Sequence, residues 1–137
     1  MTPDSTRAKP LESEKITINL GYVDLGQIDL LLAEGFYSNR TDFIRTAIRN
    51  QLANHAEAVR QAGSRRMLVV GLQRFDAAQL EAVRASGEKL RIRVLGLAQI
   101  AADVSPELAG ETIESITVLG ALHADPGVRK ALAGRIS

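Results

Sequence analysis

Hydrophobic and polar residues alternate one by one from Lys15 to Leu20. Ile16, Ile18 and Leu20 fall on one side of an extended chain, and Lys15, Thr17 and Asn19 fall on the other. This period predicts a short strand. A strand of that length does not stand alone in water, and no nearby second strand closes a hairpin with it. The expected pairing partner is therefore the same strand of a second copy. After Gly21-Tyr22-Val23-Asp24, read as a turn with Asp24 as N-cap, the period changes. Leu25, Ile28, Leu31 and Leu32 recur at helical spacing, Val23 extends their face, and a helix is predicted over about 25–34. Gly35 suits the position after a helix where positive φ is needed, and Phe36 and Tyr37 are expected to pack the corner. A second helix is predicted from Ser38 or Asn39, with Asn39-Arg40-Thr41-Asp42 as a capping box. Its apolar stripe is Phe43, Ile44, Ala47, Ile48 and Leu52; Arg40, Arg45 and Arg49 point elsewhere. The helix is expected to continue to about Gln61, with Gly63-Ser64 ending it and marking a domain boundary.

From residue 66 onward the pattern repeats. MLVVGL (67–72), IRVLGL (92–97) and ITVLGAL (116–122) place Gly71, Gly96 and Gly120 at corresponding positions, 25 and 24 residues apart. Met67 and Val69, Ile92 and Val94, and Ile116 and Val118 precede these glycines on one strand face. Each strand is predicted to lead into a short helix begun by Asp76, by Ser105-Pro106 or by Asp125-Pro126; proline in the first turn forgoes an N–H that has no partner there. A period in the twenties predicts a stacked, solenoid-like β/α array of parallel strands, with glycines where neighbouring backbones approach. The Asn/Cys signature of leucine-rich repeats is absent. The last strand would leave an edge that wants a partner or a cap, so a second dimer contact or an edge passed to another molecule is expected of this half. Three domains result: a flexible arm at 1–13, an N-terminal domain at 14–63 and a C-terminal repeat domain at 64–137.

KITINL (15–20), a first helix ending at Glu34-Gly35-Phe36-Tyr37 and then SNRTDFIRTAIRNQL (38–52) together resemble the ribbon-helix-helix DNA-binding proteins, the group of the MetJ, Arc and CopG-type repressors. The resemblance implies an α/β composite: an N-terminal ribbon-helix-helix dimerisation and DNA-binding domain followed by the β/α repeat. It also implies that two chains intertwine through residues 15–52 and that their paired strands enter the major groove. Carried over by position, the base contacts are Lys15, Thr17 and Asn19, and the phosphate contacts lie at the start of the second helix, at Ser38, Asn39 and Arg40. The chemistry of these residues agrees. Lys reads guanine or phosphate, Asn reads adenine or phosphate, Thr serves either base type, and a helix N-terminus offers unpaired N–H groups to an anion. Arg7 and Lys9 of the arm are candidates for contacts beside the ribbon.

Composition narrows this further. A net charge of +1 argues against a protein that coats nucleic acid by charge alone and leaves room for specific binding from a small local patch. With no cysteine there is no disulfide and no thiolate metal site. The polar start lacks the apolar core of a signal peptide, and no run approaches a membrane span, so the cytoplasm is the expected location. His55 and His123 lie in different halves, the serines lack a neighbouring base, and VVGL and VLGL lack the further residues of a nucleotide-binding turn. No catalytic residue, metal or cofactor is assigned. The clustered His and Cys of the nickel-responsive ribbon-helix-helix branch are missing as well. The sequence thus reads as a homodimeric, sequence-specific transcriptional regulator, a repressor, binding double-stranded DNA. The alternative is an antitoxin-type or oligomerising interaction protein whose C-terminal domain binds a protein partner, with higher assembly through residues 66–137.

Overall fold

The computed structural model describes residues 13–137, so Arg7 and Lys9 and nearly all of the arm lie outside the described residues. The chain divides into two compact units, one running up to Arg60 and the other spanning Gln61–Ser137. Six helices and three parallel strands are found among the described residues.

In the N-terminal unit, residues 13–20 belong to no helix or ladder. Helix α1 spans Tyr22–Ala33. It begins earlier than the sequence suggests. Gly21, extended at φ −67° and ψ 157°, is the N-cap, and its carbonyl accepts the Leu25 N–H at 3.0 Å. Asp24 therefore sits inside the first turn, where its carboxylate faces the partial positive charge of the helix start. The other end is as expected. Gly35 adopts φ +86°, its N–H donates to the Leu32 carbonyl and the Phe36 N–H to the Leu31 carbonyl, the paired bonds of a Schellman motif. At the corner Tyr37 meets Phe43 edge to face, with centroids 5.1 Å apart, while Phe36 remains exposed.

Helix α2 spans Arg40–Asn54 and α3 spans Ala56–Arg65, with the division between the units falling inside α3. The single helix expected to reach Gln61 is thus interrupted at His55, whose φ of −107° and ψ of 13° let its N–H bond back to Leu52. Asn54 and His55 are weak helix formers. Gly63 and Ser64 do not end α3. Gly63 is helical and buried, and Met67 takes the left-handed turn at φ +58°. The Met67 N–H bonds to Ser64 and the Leu68 N–H to Gly63, a second Schellman closure built on a residue other than glycine.

The C-terminal unit alternates β1 (Val69–Phe75), α4 (Ala77–Ser86), β2 (Leu90–Ile100), α5 (Pro106–Thr112), β3 (Ile113–His123) and α6 (Pro126–Ala131). The strands lie parallel in chain order, and Gly71, Gly96 and Gly120 stand opposite one another. The last two need to be glycine. A Cβ on Gly96 would run into the Gly71 carbonyl, and one on Gly120 into the Gly96 carbonyl. The helix starts are where the sequence puts them. Asp76 forms a reciprocal capping box with Gln79, Ser105 caps α5 ahead of Pro106, and Asp125 precedes Pro126. Leu80 of α4, Leu108 of α5 and Val128 of α6 share one core with Val94, Ala98 and Ile116 of the sheet. The last strand does not leave a bare edge: Ile116 exchanges backbone hydrogen bonds with Arg135 and Ser137.

Candidate nucleic-acid interface

The interface expected from the sequence has two parts, the extended segment at 15–20 and the start of α2. In the first, Lys15, Thr17 and Asn19 are all exposed, as an edge-reading surface requires. The apolar side is exposed too. Ile16 is 73% accessible and Ile18 59%. Ile18 and Leu20 border an open groove of about 370 Å³ that continues along Ile28, Leu31, Ile44 and Ile48. The apolar residues of this segment and the facing stripes of α1 and α2 thus converge on one apolar hollow. Asp24 and Gln27 also line it.

At the start of α2, Asn39 is the N-cap. Its side-chain oxygen accepts the Asp42 N–H at 2.8 Å, while the Asp42 carboxylate accepts the Ser38 N–H at 2.9 Å. The sequence identifies this cap, with one difference: Asp42 reaches back to Ser38 rather than to Asn39. The amide of Ser38 is therefore occupied, and its hydroxyl is the group it can offer an anion. No hydrogen bond among the described residues reaches the amides of Asn39, Arg40 and Thr41. These are the N-terminal donors that a helix leaves open. A phosphate arriving there would meet three N–H groups and the helix dipole, with the Asp42 carboxylate close by.

The Arg40 side chain is already engaged. Its Nε and one terminal nitrogen hold both oxygens of Asp29 on α1, at 2.9 and 2.8 Å. Hydrogen bonding from Arg40 lowers the Asp29 pKa from the usual carboxylate value, and the same contact raises that of Arg40. The fork-to-fork pair ties α1 to α2 across the turn. The sequence gives no sign of Asp29, because the two residues stand eleven apart and no local spacing rule joins them. The structure brings together Ser38, Asn39 and Arg40 as one helix start, and leaves Lys15, Thr17 and Asn19 on a segment with no strand partner among the described residues.

No group of three or more His, Cys, Asp or Glu that could hold a metal occurs among the described residues. No helix among them is long and apolar enough to cross a membrane. In comparisons with known proteins, a sequence model of the ribbon-helix-helix transcriptional regulator family matches residues 11–129. No curated protein and no solved structure matches the chain.

Proposed function

We propose, from the premise that the chain belongs to the ribbon-helix-helix transcriptional regulator family, that it is a homodimeric repressor whose paired N-terminal strands read DNA in the major groove. The observation that carries this reading is the open groove bordered by Ile18, Leu20, Ile28 and Ile44. A domain of this size with its apolar stripes turned to solvent needs something to cover them. A second copy brings the same stripe and the same unpaired strand. Two strands from Lys15 to Leu20, antiparallel about a two-fold axis, would satisfy each other's backbone groups and close the hollow from above. Lys15, Thr17 and Asn19 would then form the outward face of the ribbon, where Lys and Asn reach base edges and Thr serves either base type.

In this proposal the phosphates are held at the start of α2 by the amides of Asn39 and Arg40, with the Ser38 hydroxyl beside them, and these contacts set register rather than sequence. The ribbon-helix-helix domain takes 14–63, and 64–137 forms a solenoid-like β/α repeat domain. Support for the repeat comes from the sequential strand order and the aligned glycines. With a net charge of only +1, affinity per dimer is modest, and adjacent dimers on neighbouring half-sites reinforce one another.

Fluorescence anisotropy with the duplex upstream of the chain's own gene, against a scrambled duplex at two salt concentrations, tests the reading. Preference for the native duplex that survives the higher salt is expected. Equal, weak binding to both that vanishes with salt would mean attraction by charge alone and would contradict it.

A further inference from the structure

The two outer edges of the C-terminal sheet are finished differently. On β3 the Ile116 N–H donates to Arg135 and the Ile116 carbonyl accepts from Ser137, both at 2.8 Å, with Ile136 bridged alongside. Further along the same edge the Arg129 guanidinium donates to the Leu122 carbonyl. On β1 the carbonyls of Gly71 and Phe75 face β2, the first against Gly96 and the second accepting the Ala101 N–H at 2.8 Å. Strand alternation therefore turns the N–H and C=O groups of Leu72 and Arg74 outward. Among the described residues no turn, loop or side chain bonds to them. Val70 and Leu72 on this edge are 76% and 51% exposed. β1 carries no lysine and no proline, and Arg74 is its one charged residue.

We infer that β1 pairs antiparallel with β1 of a second copy of this chain, across a two-fold axis at Leu72, joining the two sheets into one. The inference concerns the C-terminal unit and does not depend on the DNA-reading proposal. The occupant follows from the difference between the edges. Head-to-tail pairing would need β3 of one copy to receive β1 of the next, and β3 is held at Ile116 and at Leu122 by its own chain. Self-pairing of β1 uses one surface on both copies and closes after two. The register follows from length. Leu72 is the middle residue of Val69–Phe75, so an axis there gives the longest overlap. It sets Leu72 against Leu72 on the sheet face away from the core, and Val70 of each copy opposite Arg74 of the other.

The absence of cysteine from the sequence makes the test clean. Residues opposite one another in a hydrogen-bonded antiparallel pair have Cα atoms about 5.5 Å apart, within disulfide range. Full-length Leu72→Cys should therefore form a covalent dimer under mild oxidation. Val70→Cys places its two thiols about 13 Å apart along the strands and should remain uncrosslinked on that time scale. Random collision predicts the reverse order, because Val70 is the more exposed. Cross-linking of Val70→Cys as fast as Leu72→Cys, or none in either, would overturn the inference. Hydrogen exchange on the unmodified chain gives a second reading. The Leu72 and Arg74 amides should exchange slowly, and quickly in Leu72→Lys, which sets like charges opposite each other. Fast exchange in the unmodified chain, or protection only after a different protein is added, would also overturn it. Sequence-preferring DNA binding, measured on the same variants, reports separately on the N-terminal unit.

Discussion

Of the fifteen apolar residues buried among the described ones, Ile28 alone lies before Arg60, and the other fourteen lie beyond Gln61. The two units contain similar kinds of residues and use them differently. In the C-terminal unit Leu80, Leu108 and Val128 of the helices pack with β2 and β3 in one core, and Ile92, Val94, Ile113 and Ile116 reach 3% exposure or less. In the N-terminal unit the apolar stripes are as regular, yet Ile16, Ile18, Ile48 and Leu52 stay between 48% and 73% exposed. A regular apolar pattern therefore does not by itself make a closed core. The C-terminal unit closes its buried core within one chain and leaves only the β1 edge open, whereas the apolar stripes of the N-terminal unit border an open groove that the proposed second copy would cover. A unit completed by a second copy has a stability tied to protein concentration.

The comparison is broken most severely by Gly96→Ala. The new Cβ would meet the Gly71 carbonyl, and the backbone there has φ +141°. A loss of about 4 kcal/mol or more is expected in the C-terminal unit. Calorimetry should show that unit's transition collapse while N-terminal unfolding is kept. Next comes Ile18→Asp, which places a carboxylate in the core proposed to be shared by two copies and should cost several kcal/mol. Sequence-preferring DNA binding and the folding of the N-terminal helices should both be lost, with the C-terminal transition unchanged. Chain mass by ultracentrifugation should fall to that of a monomer once Leu72→Lys is added. A dimeric double variant would show that neither edge holds the copies together.

Smaller effects sharpen the contrast between folding and reading. Thr17→Ala with Asn19→Ala should remove about 1–3 kcal/mol of discrimination per base contact and leave both unfolding transitions in place, because both side chains are exposed. Anisotropy against native and scrambled duplexes measures this, and full preference in the double variant would take the ribbon out of recognition. Asn39→Ala removes the cap on Asp42 and should lower stability by about 1 kcal/mol, read from denaturant midpoints. The Asp29–Arg40 pair gives a pH signature. Hydrogen bonding from Arg40 lowers the Asp29 pKa in the folded chain. Its contribution is therefore present above the ordinary carboxylate value and is lost as pH falls through the lowered one. Wild type and Asp29→Asn should differ in thermal midpoint at neutral pH and converge in acid.

Much of this was legible in the sequence wherever the determinant was local. The cap at Asn39, the starts at Asp76, Ser105 and Asp125, the left-handed Gly35 and the glycine register each depend on a few neighbouring residues or on a repeat. What escaped was decided at a distance or against local preference. The Asp29–Arg40 pair joins two helices, and the cap on β3 comes from residues 135–137 returning to Ile116. The break at His55 has no proline or glycine to announce it. Met67 takes the left-handed turn that closes α3, past the Gly63-Ser64 pair at which the sequence places the helix end. At the candidate interface the residue types were readable. That Arg40 is held by Asp29, and the Ser38 amide by Asp42, was not.

In the function proposed above, a second copy completes the N-terminal unit. Isotope-filtered NMR on a one-to-one mixture of labelled and unlabelled full-length chain tests it most directly. Intermolecular contacts are expected between the methyl groups of Ile18 and Leu20 in one copy and those of the other. If every contact of Ile18 and Leu20 arises within a single chain, the half-core and the paired ribbon are both contradicted.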